Sequence, residues 1–353
     1  MSLLPHDDIS FSSKAILMLF LFLSWGVNQI INDYINLEED RINAPNRPMV
    51  TGALPANIAL AISASAICVI IIYSLCVNAI SVIPIIAGVV MNIVYSHAKA
   101  YGIVGNLTFG ISISCCAWYA YVLLGGGIIS FFTNHWMIWL ILVVLNMIMT
   151  YFTYFKDLEG DKAAGKNTLI VKYGRKKASR IGFVIGFIPF VIFMLLGCRI
   201  TSFFTDHWLI WLILIILYMI TTYFRYFNDL NGDKTAEKDT LIVKYCRKKA
   251  SSIGFLIGFI LFVIFMLVCK KEFLFWMTCL EASCLHIYTG YIFLKKNVGA
   301  LTYFNLKYNF RALCLSQSAL VCLNNPIEGL LLSGLCEIGI SIVFEKWYTD
   351  ATE

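Results

Sequence analysis

The chain has 353 residues, of which 59% are hydrophobic and only 14% charged, whereas soluble domains average about a quarter charged residues. Its mean hydropathy is +0.78. This apolar surplus excludes a disordered, a fibrous or a nucleic-acid-binding protein. The net charge of +6 therefore bears on which side of a membrane the basic residues lie.

Apolar runs of about 20 residues, long enough to cross a bilayer, predict an all-α, polytopic membrane bundle of about ten to eleven helices. The first run leads into a polar motif without a small-residue cleavage site, so it is predicted to be a spanning helix and not a signal peptide. In chain order the runs lie at 14–31, 54–77, 80–97, 105–125, 135–155, 178–198, 207–227, 250–269, 273–293, 310–325 and 327–347.

Alternating the direction of these runs sorts the basic residues onto one side. One set of loops carries 22 Lys and Arg residues and the opposite set carries 3. Loops rich in Lys and Arg face the cytoplasm. The richer set is thus predicted to be cytoplasmic, and it consists of residues 32–53, 97–105, 156–180, 225–250 and 294–311.

Residues 131–196 and 203–268 form an internal repeat, with 49 of 66 aligned positions identical. Each copy is predicted to be a helix, a cytoplasmic loop and a returning helix. Because a copy adds an even number of crossings, the orientation of everything downstream is kept. The whole chain, 1–353, is interpreted as one membrane domain that contains a duplicated hairpin.

The 12 cysteines are scattered through apolar runs with no C-x-x-C spacing, so neither a zinc site nor a redox motif is indicated. The adjacent pair Cys115 and Cys116 is interpreted as packing or lipid-facing.

The first predicted cytoplasmic loop opens with a polar stretch that contains Asp33, Asn36 and Asp40. On a continuing helix, spacings of three and four place these side chains on one face. Three oxygen ligands on one face suit Mg²⁺, which binds carboxylates and phosphate oxygens while keeping some water. A solvated helix end is the alternative interpretation.

A second acidic pair, Asp157 and Asp161, also shares a helix face where an apolar run ends. Two such clusters facing each other could hold Mg²⁺ around a diphosphate and make it a better leaving group. The pairing is more specific than either cluster alone.

At these residues the chain resembles the UbiA superfamily of intramembrane prenyltransferases, over most of its length from about residue 14. The resemblance includes a short loop, Tyr95 to Lys99 with Gly105 and Asn106. The first family motif is matched by Asn32, Asp33, Asp40, Asn43, Pro45, Arg47 and Pro48, and the second by Asp157, Asp161, Gly165, Thr168 and Leu169. The first motif with Gly105 and Asn106 looks most like the digeranylgeranylglyceryl phosphate synthase branch. The second motif is also similar to the dihydroxynaphthoate and homogentisate branches.

The resemblance implies Mg²⁺-dependent transfer of a prenyl group from an isoprenyl diphosphate to a lipophilic acceptor, within the bilayer. The acceptor would be an aromatic or quinone precursor, or a polyprenylglyceryl-type lipid. Asp33, Asp40, Asp157 and Asp161 are the expected catalytic residues and, with Asn36, the expected metal ligands. Expected substrate contacts are Asn32, Asn36, Arg47 and Lys99, of which Arg47 and Lys99 would bind the diphosphate. Aromatic faces can stabilise an allylic cation, and the candidates are Tyr34, Trp118, Tyr119, Tyr151 and Tyr154.

Three departures from the family pattern stand out. Position 36 is Asn where the pattern has Asp, which removes a negative charge from the first cluster. The helix that usually precedes the first-motif helix has no counterpart. The second motif occurs twice, and its second copy, with Asp229 and Asp233, has Asn228, Asn231 and Glu237 in place of Lys156, Glu159 and Gly165. The first copy is therefore expected to serve the site.

Other functions remain open on the sequence. A UbiA-type terpene cyclase would ionise the same diphosphate, and a catalytically inactive descendant would explain Asn36 and the duplication. Transporters place charged groups near the bilayer midplane, whereas the acids here lie mostly at the ends of the runs, so transport is disfavoured.

Overall fold

The computed structural model describes residues 11–196, 271–295, 300–323 and 325–344. The chain divides into two compact units, residues 1–193 with 277–353, and residues 194–276. The account below concerns the first unit. The predicted runs 207–227 and 250–269, and the second repeat copy with Asp229 and Asp233, lie outside the described residues.

Within the described ranges all regular structure is helical, as the sequence predicts. The helices are α1 (Phe11–Ile35), α2 (Leu37–Asn43), α3 (Pro48–Thr51), α4 (Ala56–Asn78), α5 (Val82–Ala98), α6 (Ile103–Leu123), α7 (Ile128–Thr153), α8 (Leu158–Ala163), α9 (Leu169–Ile185), α10 (Ile188–Leu196), α11 (Lys271–Lys295), α12 (Ala300–Cys322) and α13 (Pro326–Ile342).

Four stretches of the described chain are long and apolar enough to span a membrane: Ser12–Ile35, Ala56–Tyr101, Ile103–Leu123 and Ile128–Thr153. The second contains both α4 and α5, which are separated by extended backbone at Asn78 and one 3₁₀ turn. Many of the outward side chains are large and apolar, such as Phe22, Ile72 and Ile129. A surface of this kind belongs in lipid, and the protein is an integral membrane protein.

The predicted span over 178–198 is not a single helix in the structure. Helix α9 begins earlier, at Leu169, and its backbone leaves helical geometry at Gly174, where φ is +71°. Helix α10 then starts at Ile188. Gly174 adopts the left-handed region without a Cβ clash, and the basic residues around it favour the bundle's edge over its interior. Helix α9, which contains the start of the predicted run, is therefore an amphipathic helix.

Glycines allow the helices to approach closely. A Cβ on Gly110 of α6 would lie 2.6 Å from the Val143 carbonyl oxygen of α7, and one on Gly290 of α11 would lie 2.9 Å from Cα of Phe183 in α9. Close backbone contact is the usual way in which membrane helices associate. An aromatic core of Tyr151, Phe152, Phe155 and Phe293 joins α7, the turn after it and α11.

The end of the bundle at which α1 ends, α5 leads into residues 99–101 and α7 leads into α8 is called the motif end below. Both acidic motifs lie there.

Candidate active site

The first motif lies where α1 gives way to α2. Asp33 is in the last turn of α1, and the chain turns at Asn36 before α2 brings Asp40 back toward it. Arg47 lies between the two carboxylates, with its Nη1 atom 2.6 Å from Asp33 Oδ1 and 2.5 Å from Asp40 Oδ2. Gln29, one turn earlier, donates a hydrogen bond to Asp33. The arginine thus holds both carboxylates on one side of the motif.

The second motif lies on α8. Asp157 is the residue before the helix and Asp161 is within it. Lys99, from the turn after α5, is 2.8 Å from Asp161 Oδ1 and 3.4 Å from Asp157 Oδ2. Lys156 approaches Asp157 Oδ1 at 2.6 Å. Lys99 is only 5% exposed and Asp161 is fully buried, so this pair is closed from solvent.

Glycine at position 105 allows Lys99 to reach its place. A Cβ there would lie 2.7 Å from the Lys99 Cα atom and 3.0 Å from the Tyr154 hydroxyl. Real Cβ atoms do not approach other atoms so closely, so only glycine fits here. The Lys99 ammonium also lies 5.2 Å from the centre of the Tyr154 ring, a cation–π distance.

Asn43 joins the two motifs. Its amide nitrogen donates to the Asp157 carbonyl oxygen at 3.1 Å. Its amide oxygen accepts a hydrogen bond from the Gly160 backbone nitrogen at 2.8 Å. One side chain of α2 therefore fixes the start of α8, and this fixes the two acidic pairs relative to each other.

Lys166 adds a second bridge. Its Nζ atom donates to Asn36 Oδ1 at 2.9 Å and lies 2.7 Å from Glu39 Oε1. The segment after α8 is thereby tied to the start of α2. Asn36, the residue that departs from the family pattern, accepts this hydrogen bond with its side-chain carbonyl oxygen.

The electrostatic environment of the two motifs differs. Burial raises the pKa of Asp40 to about 6, although Arg47 opposes the shift. Burial would also raise the pKa of Asp157, but Lys156 and Lys99 outweigh it and hold that pKa well below its usual range. Burial raises the pKa of Asp161, which has Lys99 beside it and the Asp157 charge nearby. The ionised form of Asp157 is favoured most.

Most of the site residues expected from the sequence come together. Asp33, Asp40 and Arg47 form one cluster, and Asp157, Asp161 and Lys99 form the other. Asn32 accepts a hydrogen bond of 3.3 Å from Ser96 Oγ, which links α1 to α5 beside the first cluster. The roles in catalysis and substrate binding that the resemblance implies for these residues stay predictions.

The sequence reasoning assigned no role to three residues of the site: Gln29, Lys156 and Lys166. Asn43 was predicted only as a match to the first motif. Its bridging role was predictable, because the side-chain amide of an Asn between a helix and a proline can both donate to and accept from backbone groups of another segment. The lysines looked like orientation signals, since nothing in their spacing indicates which carboxylate they meet.

An apolar cavity of about 300 Å³ extends from the motif end into the bundle between α1, α4, α5 and α6. At its motif end are Asn28, Ile31 and Asn92, one turn from the Asn32–Ser96 link. Trp25 lines the cavity and is 58% exposed, so the cavity reaches the lipid-facing surface there.

Cys115 and Cys116 also line the cavity. Nine cysteines of the described chain, these two among them, form no disulfide.

The aromatic candidates separate into different places. Tyr119 lines the cavity and Tyr154 lies beside Lys99. Tyr151 donates to the Ala178 carbonyl and belongs to the core. Trp118 stacks edge-on against Phe132, and Tyr34 is 46% exposed.

The carboxylates of the two motifs can be compared with the ligands that a divalent cation requires. In the described ranges no three His, Cys, Asp or Glu side chains are grouped closely enough to hold a metal ion by themselves. Each motif offers two carboxylates, and Asp161 Oδ2 is buried with no hydrogen-bond partner among the described residues. Mg²⁺ commonly takes one or two carboxylates and completes its shell with substrate phosphates and water. The residues fit that requirement.

The fold and this site together define a polytopic membrane protein with paired carboxylates at one end of a lipid-accessible cavity. The UbiA prenyltransferase family matches residues 1–188. The chain belongs to this family.

Three curated relatives are named digeranylgeranylglyceryl phosphate synthase. The one from Thermococcus sibiricus is 33% identical over 48% of this chain and 58% of its own length. The one from Methanosphaera stadtmanae is 29% identical over 50% and 64%, and the one from Sulfurisphaera tokodaii is 31% identical over 46% and 60%. The chain spans about three-fifths of the length of these relatives.

Proposed function

We propose that this protein transfers a prenyl group from an isoprenyl diphosphate to a lipophilic acceptor, with Mg²⁺, at the motif end of the bundle. The observation that carries the proposal is the meeting of two acidic pairs, each with its own cation, beside an apolar cavity. The excess of Lys and Arg in the loops at this end supports a cytoplasmic orientation.

The charges suit a diphosphate. Arg47, Lys99 and Lys156 supply donors for phosphate oxygens, and the Arg fork matches phosphate geometry. Asp33, Asp40, Asp157 and Asp161, with the Asn36 carbonyl oxygen, would hold Mg²⁺. When bound, the ion offsets the charge of the diphosphate and makes it a better leaving group. In the absence of substrate the side chains of Arg47, Lys99 and Lys156 pair with the carboxylates, and this pairing balances the charge of the buried acids.

The cavity suits the prenyl chain. A chain lying between α1 and α5 would direct its diphosphate end past Asn28 and Asn92 toward the motifs and place its tail among apolar side chains. The Asn32–Ser96 hydrogen bond lies at the junction between cavity and site. An allylic cation formed there needs protection from water and an acceptor held close to it. The name of the relatives favours a glyceryl phosphate lipid as acceptor over an aromatic ring.

The test is Mg²⁺-dependent diphosphate release by the full chain in membranes, with prenyl diphosphates of several lengths, with and without glyceryl phosphate or aromatic acceptors. Release that requires an acceptor, with a prenylated product, supports the proposal. If diphosphate is released without an acceptor and the product is a cyclic hydrocarbon, the protein is a cyclase and the proposal of transfer is wrong. No release with any combination overturns the proposal in favour of an inactive family member.

The same assay distinguishes the repeat copies within the proposed single domain. Asp157→Ala with Asp161→Ala is expected to abolish turnover, because the first copy carries the pair next to Lys99. Asp229→Ala with Asp233→Ala is the matched control and is expected to leave turnover largely intact. The reverse result would assign the site to the second copy.

A further inference from the structure

The apolar cavity has a defined far end, opposite the motifs. Its deepest lining residues are Phe20 on α1, Ile70 on α4, Pro84 on α5 and Tyr119 on α6. Tyr119 is the last lining residue along α6, and its ring reaches across the cavity toward α4. It is only 5% exposed.

A hydrogen bond holds the Tyr119 ring in place. Its hydroxyl lies 3.1 Å from Ser74 Oγ. The Ser74 hydroxyl donates to the Ile70 carbonyl at 2.7 Å, so Ser74 accepts from Tyr119. Ser74 is completely buried. A buried hydrogen bond between two helices fixes the ring, because breaking it would leave polar atoms unpaired in lipid-like surroundings.

The space beyond Tyr119 is filled. Leu17 and Leu123, both buried, lie in one cluster with Tyr119 and Phe20. Tyr73 packs edge-on against Phe20 with ring centres 4.9 Å apart. A ligand tail that stays in the cavity, and does not leave it sideways at Trp25, can pass Tyr119 only by displacing well-packed side chains, which proteins resist.

We infer that Tyr119, held by Ser74, limits the length of the prenyl chain that the cavity encloses. On α1 the cavity extends from Phe20 to Ile31, about 16 Å of helix at 1.5 Å per residue. The inference rests on the proposed function, since it takes the cavity as the place of the prenyl tail. Tyr119 is thus a specificity-determining residue that takes no part in the chemistry.

The experiment compares wild type with Tyr119→Ala for prenyl diphosphates of ten, fifteen, twenty and twenty-five carbons. We expect Tyr119→Ala to raise relative turnover of a diphosphate one isoprene unit longer than the wild type's limit by about tenfold. Tyr119→Phe keeps the ring and loses only the hydroxyl, so it is expected to keep most of the wild-type limit.

Two further variants serve as a milder truncation and as a control. Tyr119→Leu is a milder truncation that serves if Tyr119→Ala does not fold, and it is expected to shift preference in the same direction. Tyr291→Ala on α11 is the matched control, because Tyr291 is 48% exposed and does not line the cavity. It is expected to leave the chain-length profile unchanged.

Binding is measured alongside turnover, as thermal stabilisation of the purified protein by non-hydrolysable thiodiphosphate analogues of the same lengths. If the protein binds these analogues but transfers nothing, the proposed function fails while the chain-length inference is still tested by binding. If folded Tyr119→Ala and Tyr119→Leu keep the wild-type length preference in both measurements, the inference is overturned.

Discussion

The two acidic motifs differ in how their carboxylates are neutralised. Asp33 and Asp40 share one cation, Arg47, whose side chain is 26% exposed. Asp157 and Asp161 have two, Lys99 and Lys156, of which Lys99 is almost fully buried. The first motif thus has two carboxylates for one cation and is partly exposed at Asp33 and Arg47, although Asp40 is buried. The second is an electrically balanced group inside the protein.

The difference separates two requirements of the proposed diphosphate site. A hydrated cation enters from solvent more readily where charge is exposed and uncompensated, since desolvation there costs less. A buried balanced group holds its geometry, because removing either sign leaves the other unpaired. The first motif is therefore suited to capture and the second to positioning, and the predictions below address this contrast.

The largest effect is expected from Lys99→Met. Removing the lysine leaves Asp161 buried without a cation and Asp157 with Lys156 alone, which should cost about 3–5 kcal/mol of the free energy of unfolding. Unfolding of the purified protein in detergent measures it. Arg47→Met should cost clearly less, because the side chains of Arg47 and Asp33 are 26% and 19% exposed, whereas that of Asp161 is fully buried. Equal losses would contradict the contrast between the motifs, and Lys162→Met, with a half-exposed side chain, is the neutral control.

A medium effect is expected at the link between the motifs. In Gly160→Ala the new Cβ would lie 2.3 Å from the Asn43 amide nitrogen and 2.8 Å from the Glu39 carbonyl oxygen. We expect destabilisation of about 1–3 kcal/mol from this crowding.

The control for this change is Gly26→Ala in α1, where a Cβ meets nothing within 4 Å, so it should be neutral or slightly stabilising. Combining Gly160→Ala with Asn43→Ala should cost less than the sum of the two changes, because the amide is one of the atoms crowded. Strict additivity would contradict the contact between Asn43 and position 160.

The smallest effect is expected from Asn36→Asp, which makes the first motif more acidic. The new carboxylate would gain a charge-assisted contact with Lys166 and lose the hydrogen bond that Asn36 donates to the Asn32 carbonyl. These effects oppose each other, so stability should change by less than about 1 kcal/mol. The Mg²⁺ concentration for half-maximal turnover should fall several-fold. An unchanged or higher requirement would show that position 36 is not a ligand.

Much of the fold was predictable from the sequence, because long apolar runs identify membrane-spanning helices. Helices α4 and α6 begin and end within two residues of the predicted runs at all four ends. The segment that begins α9 was not foreseen as helical, since its basic residues do not form an apolar run. Spacing predicted Asp33 and Asp40 on one face of a continuing helix, whereas the structure ends one helix at Ile35 and begins the next at Leu37. The two carboxylates are brought together by their shared contact with Arg47.

What the sequence by itself determined is the class of protein, the acidic residues of the site and the end of the bundle at which they gather, since apolar length, charge and short-range spacing are all written along the chain. Only the tertiary structure decided which cation meets which carboxylate. Lys99 reaches Asp157 and Asp161 across 58 and 62 positions of sequence, through a turn that needs Gly105. The cavity and its closure by Tyr119 and Ser74 likewise depend on how α4 and α6 pack, and packing between distant segments leaves no periodic trace in either one.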